Sequence, residues 1–579
     1  MSQIASGQDA SSPPPSSLAA ETAAIEALVK ERPSPRELGE RLLAARRRWP
    51  DDLRLQLIEG AWLESEARID EALAGYRAAQ RAHPANPWPG VRLVELLLRQ
   101  RRNEEARAAF RDTVWAGTAP ESTRTGLLSR TAATIAGLPG RRAYLEGLLR
   151  QTPDDRFPLL KLAALSFREQ DRATTEQLFA QARALGPLTD ESRLIELELH
   201  LAQARFEEAD ALASALQARN PDRVEFARRA IQTAIFTRQT QAMVDRLDAA
   251  LTRWPDDWLL LFRYNRCPLP GEVDRRLFAA LTERAEALAS NDRWSFQYAI
   301  AGLRHGRVAE AIETIRRLAG SEPVGNMAGP LATALTAHPP ATWSNARAIS
   351  HACDDDVQVV TRPDAAATVV LFSSVVGGLG YLPFGLADGL LAQRPVNVVY
   401  LRDLNHRSFT AGVRSLGPDQ AAMIAGLRRI TGDLGVPVVT MGSSIAGVAA
   451  IRCAAMMGAG AAISFAGPVN LGMEASDDTP PPPTSASNGT RAALFSSITE
   501  ADLGIVELIR AAPGTNIHQC FGAGFAPDVD AARLLDGLAN VRLHPVADCA
   551  DHFVIEHVIA DGRFLAILDD AMTDLGAAR

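Results

Sequence analysis

Near residue 440 the chain reads VPVVTMGSSIAGVAAIRCAAMMGA, an apolar, β-branched run that stops at two serines and passes directly into helical spacing. A hydroxyl at such a corner can serve as a helix N-cap, accepting from the free N–H groups of the first turn. It can also be a nucleophile, if a base takes its proton and an acid orients the base. Groups able to do this follow in two later segments. FAPDVDAARLL holds Asp528 and Asp530, and ADCADHFVIEHVI holds His552 and His557, with His544 a little earlier in VRLHPV.

These groups need elements to hold them. From about residue 355, short apolar runs alternate with helical segments: VQVV at 357–360, TVVLFSS at 368–374, VNVVYLRD at 396–403, PVVTMG at 437–442, AAISFAG at 461–467, NIHQCFG at 516–522 and VRLHPV at 541–546. Between most of them lie amphipathic stretches such as DQAAMIAGLRRITGDL. Strand alternating with helix predicts a mostly parallel sheet covered on both faces. Sites on such sheets form at the carboxyl ends of the strands. We expect a linker and first strand over 341–366 and the sheet domain over 367–579. The segment 475–489, ASDDTPPPPTSASNG, has four consecutive prolines that can neither continue a helix nor pair in a sheet. It is expected to be a flexible insertion.

The region 21–340 has apolar residues at three- and four-residue steps, as in ELGERLLAARRRW and EEARAAFRDTVW, which predicts helices throughout. Its prolines are periodic: Pro50 and Pro84, then Pro153, Pro187, Pro221 and Pro255, are spaced 34 residues apart within each set. That period, with Gly60, Ala72, Tyr76, Ala79 and Pro84 in one unit, resembles the tetratricopeptide repeat (TPR). Ala106 and Phe110, then Phe179, Ala182 and Pro187, then Ala209, stand at matching places, and HGRVAEAIETIRRL at 305–318 suggests a further unit. The resemblance implies an all-α superhelix of stacked hairpins that binds a protein or peptide partner on its concave face.

The serine corner resembles the nucleophile elbow of the α/β-hydrolase family, written Gly-x-Ser-x-Gly. Small residues must flank the nucleophile because strand and helix press together there. Around Ser444 those positions are Gly442 and Ala446; around Ser443 they would be the bulky Met441 and Ile445. Ser444 is therefore the candidate nucleophile. In this family the acid and then the histidine follow in chain order. The resemblance thus implies Asp528, past the sixth run, as acid and His552, in the loop before the final helix, as base. It also implies an oxyanion hole from the backbone N–H of Ile445 and one N–H in the loop VVGGLG. Val375 is the first choice there, with Ser374 and Val376 as neighbours. Glycines 377, 378 and 380 would let that backbone approach a substrate. The fold class expected is thus an all-α TPR-like superhelix followed by an α/β-hydrolase-like sheet domain, acting on an acyl-bearing substrate, an ester or thioester.

Composition narrows the alternatives. The formal net charge of -8 gives no global attraction to nucleic acid or to an anionic membrane. The cysteines are odd in number and far apart, with no CxxC pair, which argues for reduced thiols in a cytoplasmic protein and against a zinc site. No apolar stretch is long enough for a membrane span. Residues 1–20, rich in Ser and Pro, are expected to be a disordered tail and not a signal peptide. No metal or organic cofactor is implied. Two other readings remain. The stretch VVGGLGYLPFGLADGLLAQRPVNVVYL resembles the start of a nucleotide-sugar glycosyltransferase, but about 220 residues supply one sheet domain where such enzymes need two. The chain could also be a non-catalytic TPR scaffold with a degenerate hydrolase domain.

Overall fold

The computed structural model describes residues 17–31, 35–169, 171–186, 188, 190–469 and 504–577. Most of the expected amino-terminal tail, Pro187 and the 475–489 insertion lie outside the described residues. The chain divides into two compact units, Met1–Glu196 and Leu197–Arg579.

The first unit is a TPR-like array of antiparallel helical hairpins. In the hairpin of Leu53–Ser65 and Ile69–Ala82, the Pro-Asp-Asp turn ends in an N-cap: the Asp52 carboxylate accepts from the Leu55 N–H at 2.8 Å. The hairpin reverses at Ala67, in the left-handed region at φ 56°. Arg101 repeats that conformation 34 residues later, so the turn keeps the period as the prolines do. Gly60 is required by packing, since a Cβ there would stand 2.3 Å from the Tyr76 ring. The repeat positions Ala72, Tyr76, Ala79, Ala106, Phe110, Phe179 and Ala182 are all buried.

The second unit begins with more hairpins of the same kind. Ala204 and Arg238 take the left-handed turn position, and Asp257 caps the helix Trp258–Arg266 by accepting from the Leu260 N–H at 2.9 Å. The echo at 305–318 is the helix Val308–Leu318, paired with Asp292–Arg304. Among the described residues a mixed sheet follows, of seven strands in the order β1-β3-β2-β4-β5-β6-β7. They are β1 Val357–Val360, β2 Ala367–Phe372, β3 Val396–Leu401, β4 Val438–Ser443, β5 Ala461–Phe465, β6 Asn516–Gly522 and β7 Val541–Val546. Only β1 is antiparallel, to β3; every other pair is parallel. Strands β2, β3 and β5 are buried along their whole length, which is why they read as continuous apolar runs.

One core joins helices and sheet. Phe296, Ile300 and Leu303 of the last paired hairpin share it with Trp343, with Val369 and Leu371 of β2, and with Ile555 and Val558 near the carboxyl end. A boundary near residue 340 therefore follows the change of sequence period, whereas the packing runs continuously through it. Because β2, β4, β5, β6 and β7 are parallel, the segments that leave them gather along one edge of the sheet.

Candidate active site

Strand β4 ends at Ser443 and the helix Ile445–Met457 begins at Ile445, leaving one residue for the turn. That residue is Ser444, at φ 56° and ψ -131°, a conformation costly for any residue with a Cβ. The surroundings enforce it. The Ser444 N–H donates to the Phe465 carbonyl at 2.7 Å, and the Gly447 N–H donates to the Ser444 carbonyl at 2.8 Å. A Cβ on Gly442 would lie 2.2 Å from the Ala446 oxygen, and one on Gly447 would lie 2.5 Å from the Ser464 hydroxyl and 3.1 Å from the Gly467 Cα. The small-residue demand after the serine thus falls on position 447 as well as on Ala446, which is fully buried. Ser443 is a strand residue, buried and paired in register with Phe465 of β5.

The structure brings the three candidate side chains together. His552 Nδ1 lies 2.9 Å from Asp528 Oδ1, and His552 Nε2 lies 2.9 Å from Ser444 Oγ. A carboxylate can only accept, so Nδ1 carries the proton and Nε2 is free to accept the Ser444 O–H. Asp528 stands in the first turn of the helix Ala526–Arg533, after β6, and is buried. His552 precedes the helix Val554–Ala560, half-buried beside the Phe525 ring. The rival groups are elsewhere. Asp530 pairs with Arg533, His544 lies 3.1 Å from His518, and His557 sits 3.9 Å from Asp551. Asp551 and then Cys549 push the His557 pKa up to about 10. Cys549, Asp551 and His557 form the one group of possible metal ligands among the described residues. The Cys549 thiol donates to the Asp551 carbonyl at 3.1 Å.

For the oxyanion, the Ile445 N–H is the first of its helix and has no intrahelical acceptor. The loop after β2 narrows the second donor. The Ser374 N–H is spent on the Gly378 carbonyl at 2.8 Å, while the Val375 and Val376 N–H groups have no acceptor among the described residues. The glycines of this loop have a different cause from the one expected. A Cβ at Gly377 would lie 2.8 Å from the Asn265 oxygen, at Gly378 2.0 Å from the Leu382 oxygen, and at Gly380 2.4 Å from Glu556 Oε1. They let the loop pack against its own protein.

Two residues that hold this loop gave no signal in the sequence. Glu556, only 1% exposed, accepts from the Tyr381 N–H at 2.9 Å. Burial pushes its pKa up to about 7. Arg266, from the helical part of the unit, donates from Nε to the Val375 carbonyl at 2.6 Å. Nothing near Arg266 in sequence distinguishes it from the many other arginines.

No family model matches the chain, and no curated protein matches it. Similar solved structures include a tetratricopeptide repeat protein. MamA (41-end) from Desulfovibrio magneticus RS-1 is 17% identical over 29% of this chain and 94% of its own, with a TM-score of 0.21. A tetratricopeptide repeat protein from Parabacteroides merdae ATCC 43184 is 13% identical over 55% of this chain and 99% of its own, with a TM-score of 0.29. Pseudomonas aeruginosa pilF is 16% identical over 36% and 94%, with a TM-score of 0.23. At such scores the description of the helices as TPR-like stands on this chain's own hairpins and their 34-residue spacing. Among the described residues no helix is long and apolar enough to cross a membrane.

Proposed function

We propose that the sheet-bearing unit is a serine hydrolase or acyltransferase of α/β-hydrolase type, acting on an ester or thioester. The observation that carries this reading is the unbroken chain Asp528–His552–Ser444, with both links at 2.9 Å, ending on a hydroxyl held in a strained turn. Ser444 Oγ attacks the carbonyl carbon while its proton passes to His552 Nε2. Asp528 fixes the imidazole tautomer and supports the imidazolium that forms. The N–H of Ile445 and that of Val375 or Val376 stabilise the oxyanion. The tetrahedral intermediate collapses by expelling the alcohol or thiol, which takes the proton from His552. Water or another alcohol, deprotonated by His552, then releases the acyl group from Ser444. Each step uses groups of this chain. The helical hairpins would bind a protein or peptide partner that supplies or receives the acyl group.

A fluorophosphonate probe tests the proposal on the full chain. Stoichiometric labelling of wild type and none of Ser444→Ala is the expected result. Equal labelling of both removes Ser444 as nucleophile, and no labelling of either favours the scaffold reading.

A further inference from the structure

Behind the loop 374–383 lies a narrow cleft whose lining includes Asn265, Arg304, His351, Val376, Gly377 and Arg402. Arg402 is the first residue past β3 and only 3% exposed. Its Nη2 donates to the Ser350 carbonyl and lies 3.5 Å from His351 Nδ1, and its guanidinium sits 4.7 Å from the Phe384 ring centre. Its Nη1 is buried and without a partner, and no carboxylate lies within ion-pair distance of it among the described residues. The acids that act on it are Asp355 and Asp356, neither within ion-pair distance, and Asp356 is bound by Ser415 and lies 3.9 Å from Arg414.

A buried cation without a counter-charge is costly, and proteins pair such charges or coordinate them. Here a second guanidinium, that of Arg304, adds repulsion. Burial, and then Arg304, push the Arg402 pKa down to about 10, so it still carries its charge at neutral pH. His351 is held neutral, its pKa pushed down by burial and by Arg402. The cleft therefore offers a buried guanidinium with no ion-pair partner among the described residues and an unfilled N–H donor, beside about 20 Å³ of free space. A planar guanidinium suits an oxyanion such as carboxylate or phosphate. The wall made by Val376 and Gly377 belongs to the same loop as the free N–H groups assigned to the oxyanion.

We propose that the Arg402 cleft is an anion site that takes a carboxylate or phosphate group. The group comes either from the acyl substrate itself, a role that rests on the hydrolase reading, or from a free anion that orders the loop.

The first experiment is independent of catalysis. Acetate and inorganic phosphate are titrated by calorimetry into the full chain carrying Ser444→Ala. One site is expected for at least one anion, weakened at least about tenfold by adding Arg402→Gln. No saturable heat for either anion, or unchanged affinity in the double variant, overturns the proposal. Should Arg402→Gln not fold, mass mapping of phenylglyoxal modification in wild type decides: protection of Arg402 by the anion supports the site, and equal modification sinks it. Ester kinetics then separate the sources. If the substrate supplies the anion, a carboxylate-tailed ester is preferred over its neutral analogue, and Arg402→Gln lowers that preference about tenfold. If a free anion supplies it, phosphate alters wild-type turnover of the neutral ester. Failure of every ester to react counts against the hydrolase reading, while the anion site still stands or falls by the calorimetric titration.

Discussion

In the hairpin 53–82 a Cβ at Gly60 would stand 2.3 Å from the Tyr76 ring; at the serine corner a Cβ at Gly442 would stand 2.2 Å from the Ala446 carbonyl oxygen. The two clashes look equal in size and differ in kind. Tyr76 is a side chain, and a ring can shift at the expense of neighbouring packing. The Ala446 oxygen is backbone in the first turn of a helix, and moving it moves Ser444. The hairpin is one of several like units, each satisfied by local contacts with its neighbours. The corner occurs once, and its geometry depends on β5 through the Phe465 carbonyl and on β6 and β7 through the segments carrying Asp528 and His552. Repetition makes a structure tolerant; convergence of distant segments makes it brittle.

The largest effect should come from the convergent site. Ser444→Ala is expected to lower kcat for ester hydrolysis by about 10⁵-fold or more, and Asp528→Asn by about 10³–10⁴-fold through the wrong imidazole tautomer. A residual rate within about tenfold of wild type for either would remove that residue from the mechanism. Next, Gly442→Ala should cost more than about 3 kcal/mol, against about 1–3 kcal/mol for Gly60→Ala, read from the urea transition of each variant. Equal losses would erase the contrast between a yielding ring and an unyielding backbone.

Glu556 sharpens the comparison by pH. Its carboxyl has a folded pKa of about 7 against an ordinary value of 4.5, with burial as the main cause. Between these values the folded chain holds a proton that the unfolded chain has released. The associated stability is fully present below about pH 4.5 and is lost as pH rises through about 7. Glu556→Gln should remove a loss of roughly 2–4 kcal/mol between pH 4.5 and 8, measured by thermal unfolding across that range. An unchanged pH slope would show that this carboxyl is ionised in the folded state. The smallest effect is expected from Arg266→Ala, which frees the Val375 carbonyl. It should lower kcat about tenfold with little change in KM, since it shifts an oxyanion donor rather than a binding contact. A rise in KM alone would place Arg266 in ground-state binding instead.

Much of the architecture was legible beforehand. Each of the seven apolar runs overlaps one of the seven strands described, and β2, β3 and β5, buried along their whole length, must be apolar throughout. The hairpins announced themselves through a repeated proline and a repeated small-residue pattern, both local demands of one turn and one helix pair. The choice of Ser444 over Ser443 also followed from local sterics, and its φ of 56° is the reason those sterics apply. The roles of the loop glycines were not legible. Gly377, Gly378 and Gly380 look like room left for a ligand, and only the fold shows them filled by Asn265, Leu382 and Glu556.

The sequence by itself thus determined the periods, the strand and helix positions, and the identity of the residue at the corner, since each depends on neighbours within a few residues. The resemblance already pointed to Asp528 and His552 over Asp530, His544 and His557, but only the tertiary structure shows their side chains in line with Ser444. It alone decided that Arg266 and Glu556 grip the loop after β2, and that Arg402 is buried with no ion-pair partner among the described residues. The physical reason is range. Propensity and pattern act along the chain, while hydrogen bonds and charges act through space, between segments whose approach is fixed by the whole packed core.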